Sequence, residues 1–152
     1  CAVMTGVHLE RPPAPESLRF RRILAAVDLG PQSGRTLEWA AWLAANLDAE
    51  LAAVHVTPGA APQSGEASAA EASRRRLEQA RQQVAGLAAA AGAKPEILIQ
   101  SGDAPLAVCA AAQQFAADLL VIGRGSAAGM FGRLRTNAYA IIRQSPCPVV
   151  SV

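Results

Sequence analysis

Aromatic residues make up only 4% of this 152-residue chain, and Lys94 is its only lysine. The first scarcity excludes a core built on stacked rings. Burial falls instead to Val, Ile and Leu on strands, with Ala-faced helices packed close against them. The second leaves positive charge almost wholly to arginine, a bias expected of GC-rich coding, although arginine is also the better phosphate ligand. A net charge of +2 without a long basic stripe gives no reason to expect nucleic acid as a partner. Arg74, Arg75 and Arg76 form the one basic run, and a solvated helix face accounts for it. No apolar run approaches the roughly 20 residues that span a bilayer, and the N-terminus lacks a hydrophobic signal core. A soluble, cytoplasmic protein with no membrane partner is the expectation.

Catalytic groups are just as sparse. There are two histidines, His8 near the start and His55 inside an apolar run, where a hydrogen-bonded structural role fits best. Neither GxxxxGK[ST] nor a cluster of paired carboxylates occurs. Cys1, Cys109 and Cys147 are odd in number and far apart, which excludes a disulfide framework and a CxxC motif and suits a reducing cytosol. Cys109 falls in an apolar helical pattern and Cys147 between two prolines. Both read as buried, and neither has a sequence neighbour that would activate a thiol.

What the chain does contain is alternation, over a length that suits one domain. Residues 1–18, with Pro12, Pro13 and Pro15, show no period and read as a loose leader ahead of a domain at 19–152. Ile23 to Val27 is a strand-length apolar run, broken by Asp28-Leu29-Gly30-Pro31. Pro31 suits the first position of a helix, with Gly30 capping it. Leu37, Ala40, Ala41, Ala44 and Leu47 then recur at helical spacing, and Trp39 and Trp42 read as packing residues on that helix. A second strand, Glu50 to Val56, leads into a loop from Thr57 to Ala67. Ser68 and Glu71 have the spacing of a capping box. The helix they open carries a buried stripe of Leu77, Ala80, Val84, Leu87 and Ala91 and ends at Gly92. Glu96 to Gln100 is a third strand. Gly102-Asp103 turns into a helix with Pro105 in its first turn and a buried side of Val108, Ala111, Ala112 and Phe115. Asp118 to Ile122 is almost wholly apolar, as a central parallel strand should be. After an irregular, glycine-rich stretch from Gly123 to Arg135, Thr136 to Gln144 forms a last helix and Pro148 to Val152 a last strand.

This order predicts an α/β fold: a doubly wound, five-stranded parallel sheet with helices on both faces, Rossmann-like, joined by right-handed crossovers. Ligands in such sheets bind beyond the carboxyl ends of the strands, where the winding reverses. If the first and fourth strands are central neighbours, the loops that follow them, from Val27 to Gly30 and from Gly123 to Ser126, converge there.

Several of these segments resemble universal stress proteins of the UspA-like type, whose fold is that of the adenine nucleotide alpha hydrolases. They are Ile23-Leu24-Ala25-Ala26-Val27-Asp28 with Leu37-Glu38-Trp39-Ala40 behind it, Val54-His55-Val56, Gly102-Asp103-Ala104, Asp118 to Gly123, and Ser145-Pro146-Cys147-Pro148-Val149-Val150. Their order and distances carry the likeness, which covers Arg19 to Val152. Members that bind ATP carry a glycine, two residues, a glycine, nine residues, then glycine and a hydroxyl residue. Such a nest lets main-chain N–H groups approach phosphate. Here Gly123-Arg124-Gly125 has one spacer residue, and nine residues later Arg135-Thr136 stands where the family has glycine and serine or threonine.

The resemblance implies a bacterial stress-response regulator, dimeric through its C-terminal strand, with a pocket for ATP or AMP and Mg²⁺ accompanying the nucleotide. Carried over by position, Ala26, Val27 and Asp28 hold the adenosine and Val56 meets the base edge, while Gly123, Gly125, Thr136 and Asn137 contact phosphate. Arg124 and Arg133 border the same loop, and Arg135 stands in the place of its last glycine. At position 135 a side chain either blocks the close approach that glycine permits or supplies a charged donor fork of its own. Asp28 suits a ribose diol as an acceptor, and suits equally a turn or helix cap. Two other readings stand beside this one: a dimeric interaction module of the same fold without a nucleotide, and a slow nucleotide hydrolase.

Overall fold

The computed structural model describes residues 3–5, 19–59, 66–124 and 133–152, with side chains from 19–59, 70–124 and 137–152. In chain order the elements are β1 (Val3–Thr5), β2 (Arg22–Val27), α1 (Ser33–Leu47), β3 (Glu50–Thr57) and α2 (Glu66–Ala90). They continue with β4 (Glu96–Ser101), α3 (Ala104–Gln114), β5 (Leu119–Ile122), α4 (Arg133–Gln144) and β6 (Val149–Ser151). One sheet holds all the strands in the order β1-β6-β5-β2-β3-β4. The pairs β2–β3, β2–β5, β3–β4 and β5–β6 are parallel, giving the expected five-stranded parallel sheet.

The strand alternation that puts successive side chains on opposite faces splits the core in two. Ile23, Ala25 and Val27 of β2 and Leu119 and Val121 of β5 face α1 and α2, where Leu37, Ala40, Ala44, Val84 and Ala88 are buried. Leu24, Leu120 and Ile122 face the other way, against Val108, Ala111, Ala112 and Phe115 of α3 and Ile141 of α4. The β5 residues are all buried, which is why this strand reads as one unbroken apolar run rather than an alternating one.

Several expectations are corrected. Residues 1–18 are not wholly a loose leader: Val3–Thr5 form β1, antiparallel to β6, and residues 6–18 lie outside the described part. A strand of three residues is too short to leave a period in the sequence. The outer edge of β6, expected to be open for dimerisation, is therefore covered by the chain itself. Helix α1 starts at Ser33 rather than at Pro31, because Ser33 N donates to Gly30 O at 3.0 Å and closes a turn with Pro31 at its second position. Helix α2 begins at Glu66, so Ser68 does not open it, and the Glu71 carboxylate accepts from Arg75 at 2.6 Å, four residues on. Trp42 is 56% exposed, and Trp39 packs edge-on against it at 5.8 Å on the surface of α1 rather than in the core. By contrast, Asp103 caps α3 as expected, accepting from Leu106 N at 3.2 Å with Pro105 in the first turn.

Asp118 fastens the amino ends of the two central strands. Its carboxylate accepts from Arg21 N at 2.7 Å and from Arg22 N at 3.0 Å, while its own N–H donates to Arg22 O at 3.0 Å. Hydrogen bonds to a charged acceptor contribute about 1.5–3 kcal/mol each, discounted here because Arg21 is exposed. Asp118→Ala is expected to lower unfolding free energy by about 2 kcal/mol in urea titration; a loss below about 0.5 kcal/mol would show that the clamp is dispensable.

Candidate functional site

The strand order places β2 between β3 and β5, so the chain leaves β2 in opposite directions on its two sides. A cleft opens at that reversal, beyond the carboxyl ends of β2 and β5, as the doubly wound architecture demands. Its apolar floor is Ala26, Val56, Val108, Ile122, Ala138 and Ile141. Asp28, Gln32, Ser33, Thr36 and Asn137 form a polar side, and the cleft encloses about 660 Å³ of non-atom space, part of it open to solvent.

The polar side is built by a tight turn after β2. Asp28 Oδ1 accepts from Gly30 N at 2.9 Å and from Ser33 Oγ at 2.8 Å, tying the strand end to the first turn of α1. Both contacts use the same carboxylate oxygen. Between them Leu29 adopts φ 61°, a left-handed conformation that costs an ordinary side chain roughly 1–2 kcal/mol. At Gly30 a Cβ would lie 3.0 Å from Asp28 Oδ1, so a side chain there would have to displace that carboxylate by a few tenths of an ångström. Ser33 and Thr36 are each only 2% exposed, and Thr36 Oγ1 donates to Gln32 O at 3.1 Å.

Opposite this turn, Gly123 follows the last residue of β5. A Cβ there would lie 2.6 Å from Thr36 Oγ1, so the absence of a side chain is what lets the strand end approach α1. His55 leaves the cleft chemistry alone: its Nδ1–H donates to Val27 O at 2.9 Å, which fixes the tautomer and ties β3 to β2. Among the described residues no group of three His, Cys, Asp or Glu side chains could hold a metal. Burial pushes the Cys109 thiol up, and burial outweighs the Ser145 hydrogen bond to push Cys147 up as well. Raised thiols are poor nucleophiles at neutral pH.

Of the residues singled out from the sequence, Ala26, Val27, Asp28, Val56, Gly123 and Asn137 line this one cleft. Arg124 turns toward the other side of β5, its N–H donating to Val152 O at 2.7 Å and its guanidinium lying 3.5 Å from Ser151 O. Arg135 and Thr136 are in the first turn of α4, and Gly125 lies outside the described residues. Sequence reasoning missed Gln32, Ser33 and Thr36. Ser33 and Thr36 stand in phase with the apolar stripe of Leu37, Ala40 and Ala44. Polar residues continuing such a stripe past its apolar end are the signal that could have found them.

A doubly wound α/β sheet with a crevice at its switch point is the fold class to which this chain belongs. The family model for the universal stress protein family matches residues 19–152, and the chain is a member of that family. Solved structures agree on the fold. A universal stress protein from Archaeoglobus fulgidus is 22% identical with a TM-score of 0.64, over 99% of this chain and 48% of that one. A protein of unknown function from Pseudomonas aeruginosa PAO1 is 22% identical with a TM-score of 0.68, over 100% of this chain and 52% of that one. A universal stress protein in complex with cAMP is 24% identical with a TM-score of 0.61, over 88% of this chain and 97% of that one. The chain thus spans about half the length of the first two. No curated protein matches it.

The contact between Gly123 and Thr36 has a direct test. Thr36 is buried and Gly123 half-buried against it, so Gly123→Ala is expected to cost about 1–3 kcal/mol of stability, as overpacking does. In Thr36→Ala the nearest side-chain atom to the new methyl would be Cβ at 3.9 Å. The double variant should recover most of the loss in a double-mutant cycle. Additive losses would mean that the two residues do not oppose each other.

Proposed function

We propose that the cleft binds an adenine nucleotide, ATP or AMP, and that the protein acts in stress physiology by binding rather than by turnover. The observation that carries this reading is the convergence of Ala26, Val27, Asp28, Val56, Gly123 and Asn137 on one cleft with an apolar floor and a polar side. A flat base fits the slot between Val56, Val108 and Ile122, where the main chain of β2 and β3 supplies donors and acceptors to its edge. Asp28 spends Oδ1 on its own turn and offers Oδ2 to a ribose hydroxyl. Phosphates then run toward Gly123 and the start of α4, where the helix dipole and the N–H groups of a helix N-terminus favour anions. The universal stress protein solved with cAMP supports the same ligand class. Mg²⁺, where it enters, comes with the nucleotide's own phosphates, since that ion keeps most of its waters and takes few protein ligands. The cytoplasm supplies such nucleotides and is the proposed compartment; among the described residues no helix is long and apolar enough to cross a membrane.

Calorimetric titration of the chain and of Asp28→Asn tests the reading. Asparagine keeps an oxygen for Gly30 and Ser33 but replaces the free acceptor with an amide donor. Losing a hydrogen bond to a charged group is expected to weaken binding roughly tenfold or more, with the thermal midpoint of unfolding little changed. The nucleotide should be recovered intact after the titration. No binding of ATP, ADP or AMP at millimolar concentration would sink the proposal and leave the chain as an interaction module.

A further inference from the structure

Helix α2 is long for the sheet it covers. Its 25 residues span about 37 Å, whereas the 8 residues of β3 span about 26 Å. Val84 and Ala88 bury its second half in the core. Its first half runs out past the carboxyl ends of β3 and β4, and a second cleft lies beneath it. Ser73, Arg76, Leu77, Ala80 and Gln83 recur at helical spacing as one wall, and the opposite wall is Thr57, Pro58, Gly59 and Ser101. This cleft encloses about 940 Å³ of non-atom space, part of it open to solvent. Gly102 N donates to Thr57 O at 3.0 Å and Thr57 Oγ1 donates to Gln100 O at 3.1 Å, which stitches the two strand ends together. The end of β3 divides the two clefts, with Val56 lining the first and Thr57 the second.

The run Arg74-Arg75-Arg76 is split three ways by the structure. Arg75 pairs with Glu71 at 2.6 Å on the outer surface of α2. Arg74 lines a neighbouring hollow with Glu78 and Arg81, and Arg81 donates to Ile97 O at 3.2 Å. Arg76 alone of the three faces the second cleft, and no described residue bonds to its guanidinium. Among the described residues no carboxylate lines this cleft, so Arg76 sets its charge. Ser73, Gln79, Gln83 and Ser101 place neutral polar groups around it, and their side chains likewise bond to no described residue. We infer that the second cleft binds a small monocarboxylate with a polar substituent, its carboxylate on the Arg76 fork and its substituent on the Ser and Gln side chains. A guanidinium meets the two oxygens of a carboxylate with two parallel N–H bonds. One cation balances one carboxylate, whereas a phosphate dianion would leave a charge unmatched. The lining also lacks the helix N-terminus on which phosphate sites draw, since α2 begins at Glu66, well before Ser73. Leu77, Ala80 and Pro58 supply an apolar strip for the carbon skeleton.

Lactate is the probe, titrated into the isotope-labelled chain at constant ionic strength with phosphate titrated in parallel. Amides of Gly59, Ser73, Ser101 and Gly102 should shift saturably with lactate, and those of Asp28, Gly123 and Asn137 should stay in place. Arg76→Gln removes the fork and is expected to weaken lactate roughly tenfold or more, whereas Arg74→Gln should leave it unchanged. Ser101→Asp sets a carboxylate in the cleft and should abolish the shifts. Positions 76 and 101 are exposed, so the thermal midpoints of these variants should match the parent's. Absence of saturation at roughly 100 mM lactate, a hundredfold above a millimolar Kd, would overturn the proposal. Equal weakening by Arg74→Gln and Arg76→Gln would do the same, since it marks diffuse charge attraction. So would tighter binding of phosphate than of lactate at these amides.

Discussion

The pairing of β2 with both β3 and β5 is the constraint from which the remaining geometry follows. A strand bonded in parallel on both sides needs crossover helices over both faces of the sheet, so α1 and α2 cover one face and α3 and α4 the other. The reversal of winding beside β2 leaves its carboxyl end and that of β5 without a loop bridging them directly. A crevice at that place is a consequence of the topology, and the sequence only decides what lines it. Asp118 sits at the far end of the same strand pair, so the carboxylate that fastens the two strands and the carboxylate that faces the cleft lie at opposite ends of the sheet.

Local chemistry at the cleft trades stability for shape. The Asp28 carboxylate closes a turn in which Leu29 takes a left-handed conformation and position 30 has little room for a side chain. Across the opening, Gly123 gives up a side chain so that β5 can end against the buried Thr36 hydroxyl. The two devices belong together, because Ser33 and Thr36 sit on adjacent turns of α1 and each meets one of them. Strain held by surrounding packing at a strand end of this kind is a feature of functional sites.

Much of the fold was legible because the strong signals are local. The unbroken Leu119–Ile122 run, the stripe through Leu37, Ala40 and Ala44, and the Asp103–Pro105 helix start each act over a few residues. The misreadings arose where a non-local partner decides the outcome. Pro31 and Gly30 together look like a helix start, but the Asp28 carboxylate holds them in a turn and delays the helix to Ser33. β1 has no periodicity of its own and exists only because β6 offers an edge. At the cleft, the residues carried by strand ends were readable from position, whereas Ser33 and Thr36 were not, since a buried hydroxyl continuing an apolar stripe looks like the stripe's polar limit.

The central claim is that a nucleotide occupies the crevice beyond β2 and β5 and nothing else in the molecule. A titration of the isotope-labelled chain with AMP, followed through its amide resonances, tests it most directly. The account predicts saturable shifts at Val27, Asp28, Val56, Gly123 and Asn137, with amides at the opposite end of the sheet, such as Asp118 and Glu50, unmoved. Shifts confined to other surfaces, or none at millimolar nucleotide, would contradict it.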